Sequence, residues 1–527
     1  MTKRTARALA LVFSATPLLL IGCGDSENKG GTGGSISGTG GAKYDGGGAG
    51  GTKLDVGAEP EVTPPAVDAT TGSLDVAVAP DTTPVVVLDA GIPDAPIGPD
   101  VTIAFDTATI DSHIAIDTAT PVDTTPVVVC TMTTPFTGGY ITANLTLTKA
   151  CSPYHITEGI RVDGNAILTI EPGVTLAFES GLGIGIGYDD STSGKLVAVG
   201  TAQSLITFTS AAASPAAGDW SGIYFWGGTM GGTKIAYANL DYCGSDSACI
   251  EGSNVKTGRV VLDHMNIDHV GATADGILEN DDASNFTISN STFSNIKSSP
   301  AQKYAISVSA PSFAGIGSTN TFNGGAMIEL AGGKVTSTTS WVNPGTDIAV
   351  TSNLGVDDTS GPVLTLGPGM KLKFAAGTSF DIRYSNPGHG SVIIAGAEPD
   401  GGASGRVVLT SLLSSPAAGD WVGLYVWSGG KAQISYADIS YAGSYSSTPG
   451  DLVVEDGNST SVISVDHSSF THSMGYGVYV KCADMASTPL TKVTLDASNT
   501  YSNNANDTAN AGTEATNVGP GLNLNCP

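Results

Sequence analysis

The chain has 527 residues, 70 of them glycine, with only 13% charged and 6% aromatic residues and a formal charge of −27. Such a composition, rich also in Thr, Ser, Val and Ile, suits short strands and tight turns and argues against amphipathic helices. The spread negative charge excludes nucleic acid and disfavours other polyanions unless metal ions intervene.

Lys3, Arg4 and Arg7 precede an apolar run from Ala8 to Ile21. The run is shorter than the roughly 20 residues that span a bilayer, and the layout is that of an export signal. Leu20-Ile21-Gly22-Cys23 resembles the lipobox of bacterial lipoproteins. That resemblance implies cleavage after residue 22, lipidation of Cys23 and a stable membrane anchor. Gly24 after the cysteine implies sorting to the outer membrane.

Residues 23–129 read as a disordered linker. Gly, Ser, Thr and Asn dominate to about residue 52, then Asp, Pro, Thr, Val and Ala, with Asp-Thr-Thr-Pro-Val-Val-Val at 81–87 and again at 123–129. Frequent prolines favour extended backbone, with a reach that is a fraction of an on-the-order-of 200 Å maximum at about 3.1 Å per residue. The spaced aspartates read as solvated spacer; calcium is the rival reading, and it lacks a preformed oxygen cage. Beyond Cys23 six cysteines remain. Sequence neighbourhood suggests the disulfides Cys130–Cys151, Cys243–Cys249 and Cys482–Cys526, among other pairings. No Cys-x-x-Cys pair points to zinc.

From residue 130 onward one β-rich module is written twice, as 130–337 and 338–527. Ser214-Pro-Ala-Ala-Gly-Asp-Trp220 returns unchanged as Ser415-Pro-Ala-Ala-Gly-Asp-Trp421, 201 residues on. Leu168–Phe178 matches Leu364–Phe374, and Lys234–Gly244 matches Gln433–Gly443. A shorter period lies within. Leu240, Ile267 and Phe293 are spaced by 27 and 26 residues. A unit so short cannot bury its own apolar face, so neighbours must stack. Side chains alternate as on strands, with a kink between Tyr237 and Leu240. Parallel strands without crossover helices then leave a solenoid.

Leu-Thr-Ile-Glu-Pro-Gly-Val at 168–174, Gly200-Thr-Ala202, Ile206-Thr-Phe-Thr-Ser210 and Gly218-Asp-Trp-Ser-Gly-Ile223 resemble the repeats of bacterial secreted right-handed parallel β-helix proteins, whose architecture is that of pectate lyases. The resemblance implies an all-β fold: a single-stranded right-handed parallel β-helix of two homologous halves, a rod of roughly 70 Å at a strand spacing of about 4.8 Å. It implies no particular activity, since the scaffold hosts lyases, hydrolases and adhesins alike.

Six groups of residues are candidates for chemistry. Asp263-His264 with His269 is mirrored by Asp466-His467 with His472, a pattern that would suit a metal or a catalytic pair. Coil alignment explains it as ladders instead: His264 shares a column with Tyr237 and Asn290, His269 with Tyr242 and Asn295, His467 with Tyr436, and His472 with Tyr441. No metal site is therefore expected. Asp275, Glu279, Asp281 and Asp282 form the densest acidic group, a weak catalytic candidate or calcium loop, and a solvated turn otherwise. Asp189-Asp190 reads as a turn. Arg161, Arg259, Arg383 and Arg406 are the arginines beyond the leader; none sits in a lyase motif, and Arg161 and Arg406 read as exposed coil edges. Trp220 and Trp421 fall at a coil corner and should pack. Tyr224, Trp226, Tyr425 and Trp427 alternate with inward Ile223, Phe225, Leu424 and Val426. They should face outward, either as a sugar-binding stripe or beneath a loop.

The expectation is a lipid-anchored outer-membrane protein, with no cofactor beyond possible calcium, whose β-helix is a non-catalytic carbohydrate-binding or adhesion module. A β-helix polysaccharide lyase or hydrolase and a purely structural envelope protein are the alternatives.

Overall fold

The computed structural model describes residues 129–525 apart from 133, 189–191, 257, 282–285, 297–302, 399–404, 456–460, 482–491, 507–509, 512–513 and 517–521. The leader, Cys23, the linker up to residue 128, Asp189, Asp190, Asp282, Cys482 and Cys526 lie outside the described residues.

The described chain winds through strands of two to nine residues and two short 3-10 turns, with no α-helix. Every strand up to Thr500–Ser502 pairs in parallel with the strand one turn earlier or later. Gly222–Phe225, for instance, lies between Gly183–Ile186 and Ala248–Gly252, with Ile223 in register with Ile184 and Ile250. This is a parallel β-helix, as the repeats require. Only the last strands depart from it: Glu514–Thr516 and Leu522–Asn525 run antiparallel to Tyr476–Lys481 and Lys492–Leu495.

The interior is one apolar cluster running from Ile141 to Leu495, so the two halves share a core. Alternation builds it. In Ala166–Ile170 residues 166, 168 and 170 are buried while 167 and 169 are not, and the same holds in Val407–Ser411. Inward residues of successive coils stack because their strands are in register.

Each coil has three sides. In the first half, side one carries Gly183–Ile186 and Gly222–Phe225, side two Gly194–Val199, and side three Thr175–Phe178 and Ile206–Ser210. Sides two and three merge into one 11-stranded sheet because Thr233–Asp241 and Val260–Asp268 run unbroken around the corner between them.

The second half keeps this order but enters it one side late. Lys371–Phe374 is the sequence counterpart of side-three Thr175–Phe178. It nevertheless continues the side-one sheet, through Ile328–Leu330 and Ile348–Val350, to make 14 strands. Gly423–Val426, counterpart of side-one Gly222–Phe225, belongs to a separate 8-stranded sheet. The first module thus ends on side one rather than just before it, a whole number of turns plus one strand. The second copy is displaced by one side around the coil.

Candidate functional site

The corners come first, because they aim everything else. Tyr237, Tyr242, His264, His269, Asn290 and Asn295 in the first half, and Tyr436, Tyr441, His467 and His472 in the second, all have φ between +45° and +64°. This left-handed conformation bends a strand within one residue and is costly for most side chains. The flat side chains stack up the corners: Tyr237 on His264 at 4.2 Å, Tyr242 on His269 at 4.8 Å, Tyr436 on His467 at 4.6 Å and Tyr441 on His472 at 4.8 Å between centroids. The repeated histidines are ladder rungs.

One corner holds more. Asp241 and Asp268 are in register on neighbouring strands, and His269 Nδ1 lies 2.9 Å from Asp241 Oδ1 and 3.4 Å from Asp268 Oδ1. Among the described residues these three could together hold a metal ion, where the sequence pattern led to none. Hydrogen bonding accounts for the same geometry. Asp268 Oδ1 accepts from the His269 backbone N–H at 2.8 Å and from Asn295 Nδ2 at 2.7 Å.

Trp220 and Trp421 are fully buried at their corner, as expected. Each stacks on a phenylalanine, Phe178 at 4.5 Å and Phe374 at 4.2 Å, and donates from Nε1 to a backbone oxygen, of Asp241 and Ser440, at 2.8 Å.

The described members of the acidic group, Asp275, Glu279 and Asp281, each have their own partners. Asp275 accepts from the Tyr304 backbone N–H at 2.8 Å and sits 3.8 Å from Lys303 Nζ. Glu279 shares the inward parity of Ile277 and opposes Gly252, whose missing side chain makes way for the Phe286 ring. Burial pushes the Glu279 carboxyl up to about 8, against the lowering effect of the Phe286 backbone N–H. Asp281 instead accepts from the Asn254 backbone N–H of the neighbouring coil. A carboxyl enclosed in the coil cannot reach a polymer outside it.

The outward aromatics require a correction. Tyr224 and Tyr425 do lie on the outer parity, in register with Gly185 and Asp381, but they are only 3% and 2% exposed. Tyr425 packs with Val453, Tyr479 and Trp427 in a small apolar cluster of its own, outside the main core. Its hydroxyl donates to the Thr448 carbonyl at 2.7 Å, so the turn before Gly450–Glu455 covers it. Tyr224 and Tyr425 are foundations, and the surface is built on top of them.

That surface combines Trp226 and Trp427, named from the sequence, with rings the sequence reading passed over. Trp226 folds across Gly185, where a Cβ would come within 2.7 Å of its ring. Tyr188 stands edge-on against Trp226 at 5.4 Å and is half exposed. Arg161 Cζ lies 4.3 Å from the Tyr188 centroid and 5.3 Å from that of exposed Tyr140, its Nε bonded to Asp163. Arg161 is therefore gripped between rings, not splayed at a coil edge. Arg406 is likewise held, with Nε 2.8 Å from Asp438 Oδ1.

The second half rebuilds the arrangement. Tyr384 stands edge-on against Trp427 at 5.5 Å and is 64% exposed; Trp427 Nε1 donates to Asp381 Oδ1 at 2.9 Å. Tyr445, also exposed, meets Tyr425 edge-on at 6.2 Å. Burial raises the Asp381 carboxyl, as it does that of Glu251 beside Tyr224. A signal was there to be read, since Asp189-Asp190 and its second-half counterpart Ser385-Asn386 are each preceded by a tyrosine, Tyr188 and Tyr384. Each half thus presents an exposed tyrosine, Tyr188 or Tyr384, braced by a half-buried tryptophan over a buried tyrosine. Such a platform can stack on a flat apolar ring while neighbouring polar groups meet its hydroxyl rim.

The disulfides Cys130–Cys151 and Cys243–Cys249 form as expected; the latter closes the turn after Tyr242. A family model described as a pectate-lyase-like beta helix domain matches residues 139–302, a stretch within the first half. No curated protein and no solved structure matches the chain.

Proposed function

We propose that the β-helix is a non-catalytic module that binds neutral polysaccharide through its two aromatic platforms, tethered to the outer membrane by lipid on Cys23. The observation that carries this reading is the duplication of an exposed feature. Solvent gives no reason to keep Tyr188 and Tyr384 over Trp226 and Trp427 in both halves, whereas a ligand with flat apolar faces does. The charge of −27 favours a neutral polymer over a polyuronate. The buried position of Glu279 and the separate partners of Asp275 and Asp281 weigh against a lyase or hydrolase built on that group.

The test is affinity electrophoresis in gels containing galactomannan, xyloglucan, arabinoxylan, mannan, dextran or pullulan. At least one polymer should retard the wild-type protein. Tyr188→Ala combined with Tyr384→Ala should abolish the retardation without lowering the melting temperature, each lost ring weakening its own platform about tenfold. Undiminished retardation of the double variant, or none of the wild type by any polymer, removes the proposal.

A further inference from the structure

The one-side displacement of the second module separates the two platforms. Tyr188, Trp226 and Tyr224 rise from the 14-stranded sheet, whereas Tyr384, Trp427 and Tyr425 rise from the 8-stranded sheet that begins only at Gly333–Val335. Following the outer row of the 14-stranded sheet away from Tyr224, the register meets Glu251, Leu278, Ser307, Glu329, Ala349, Lys373 and Thr410. None of these is aromatic. The row that holds Tyr425 starts instead from Lys334, Gly355 and Asp381 and runs on through Val453 to Tyr479. A straight polymer lying along either sheet reaches one platform and misses the other.

Resting on the proposed function, we infer that the molecule is a cross-linker: each platform holds its own strand of neutral polysaccharide, so one monomer bridges two strands. The two platforms also differ in their polar surroundings, an arginine between tyrosines in the first and an aspartate bonded to the tryptophan in the second. They need not read the same face of the sugar.

The full chain carrying Cys23→Ser, to keep it free of lipid, tests this. Beads coated with each of the six polymers above are loaded with protein, washed, and offered the same polymer in soluble, fluorescent form. Wild-type protein should capture the fluorescent strand on at least one bead type. Tyr188→Ala and Tyr384→Ala, each alone, should still bind the beads but capture roughly tenfold less, because the second contact is missing. Capture by both single variants at the wild-type level, or bead binding by the wild type with no capture, overturns the cross-linker. Loss of bead binding only in the double variant upholds the platforms as binding sites even then. Equal bead binding by the double variant and the wild type, or no bead binding by the wild type, overturns the proposed function and the cross-linker together.

Discussion

Asp219 and Asp420 hold the corner that seats the buried tryptophans. In each, one Oδ2 accepts from a serine hydroxyl, Ser210 at 2.7 Å or Ser411 at 2.6 Å, and from a backbone N–H, of Ala216 or Ala417, at 2.9 Å. The repeated heptapeptide is thus preserved by its hydrogen bonds and packing. Asp219→Ala or Asp420→Ala should cost about 2 kcal/mol, read from denaturant midpoints, because hydrogen bonds to a charged group are lost and a buried hydroxyl is stranded. Glu279 governs a different response. Its native value of about 8 lies above that of an exposed glutamate, so the fold binds this proton more tightly than the unfolded chain does. The stability it confers is complete below the ordinary glutamate range and drains away as pH rises through about 8. The fully buried Asp451, also raised by burial, acts in the same direction. The melting temperature should therefore fall between pH 5 and pH 9, and Glu279→Gln should flatten that fall; an unchanged pH profile in this variant would refute the assignment. Residue by residue, parity was legible and cover was not. Alternation correctly put Tyr224 and Tyr425 on the outside of their strands, but only the folded turn at Thr448 shows that Tyr425 is roofed.

At the scale of elements, the corners decide which substitutions the strands tolerate. Asn290 and Asn295 occupy the same columns as His264 and His269 with the same positive φ. Asparagine enters the left-handed region readily, whereas a β-branched residue does not. His269→Asn should be nearly neutral. His269→Val should cost about 1–2 kcal/mol from backbone conformation alone, with the lost stacking on Tyr242 added to it, measured by urea denaturation. The columns were readable in the sequence because each recurs once per coil. The bend that requires them was visible only as the break in alternation after Tyr237. The capping strands were not readable at all. Leu522–Asn525 alternates like any other strand, and nothing in its letters distinguishes an antiparallel neighbour from a parallel one.

Across the whole body, one continuous core from Ile141 to Leu495 joins both halves. Stability in stacked repeats is a sum of units and their interfaces, and a well-packed interface couples them. Calorimetry should accordingly show a single unfolding transition for the β-helix rather than one per module; two separated peaks would mean that the junction at Ile328–Leu330 and Ile348–Val350 is weak. Duplication was plain from the letters, but the phase between copies was not. It depends on how many strands separate Gly139–Ile141 from its counterpart Gly333–Val335, and that number emerges only when every short strand is paired. The phase has an engineering corollary. Because the fold lets a third-side strand stack on a first-side one, a third copy spliced through an identical seam would turn its tyrosine toward yet another flank. Three copies would then grip in three directions, one for each side of the coil, with no new contact designed.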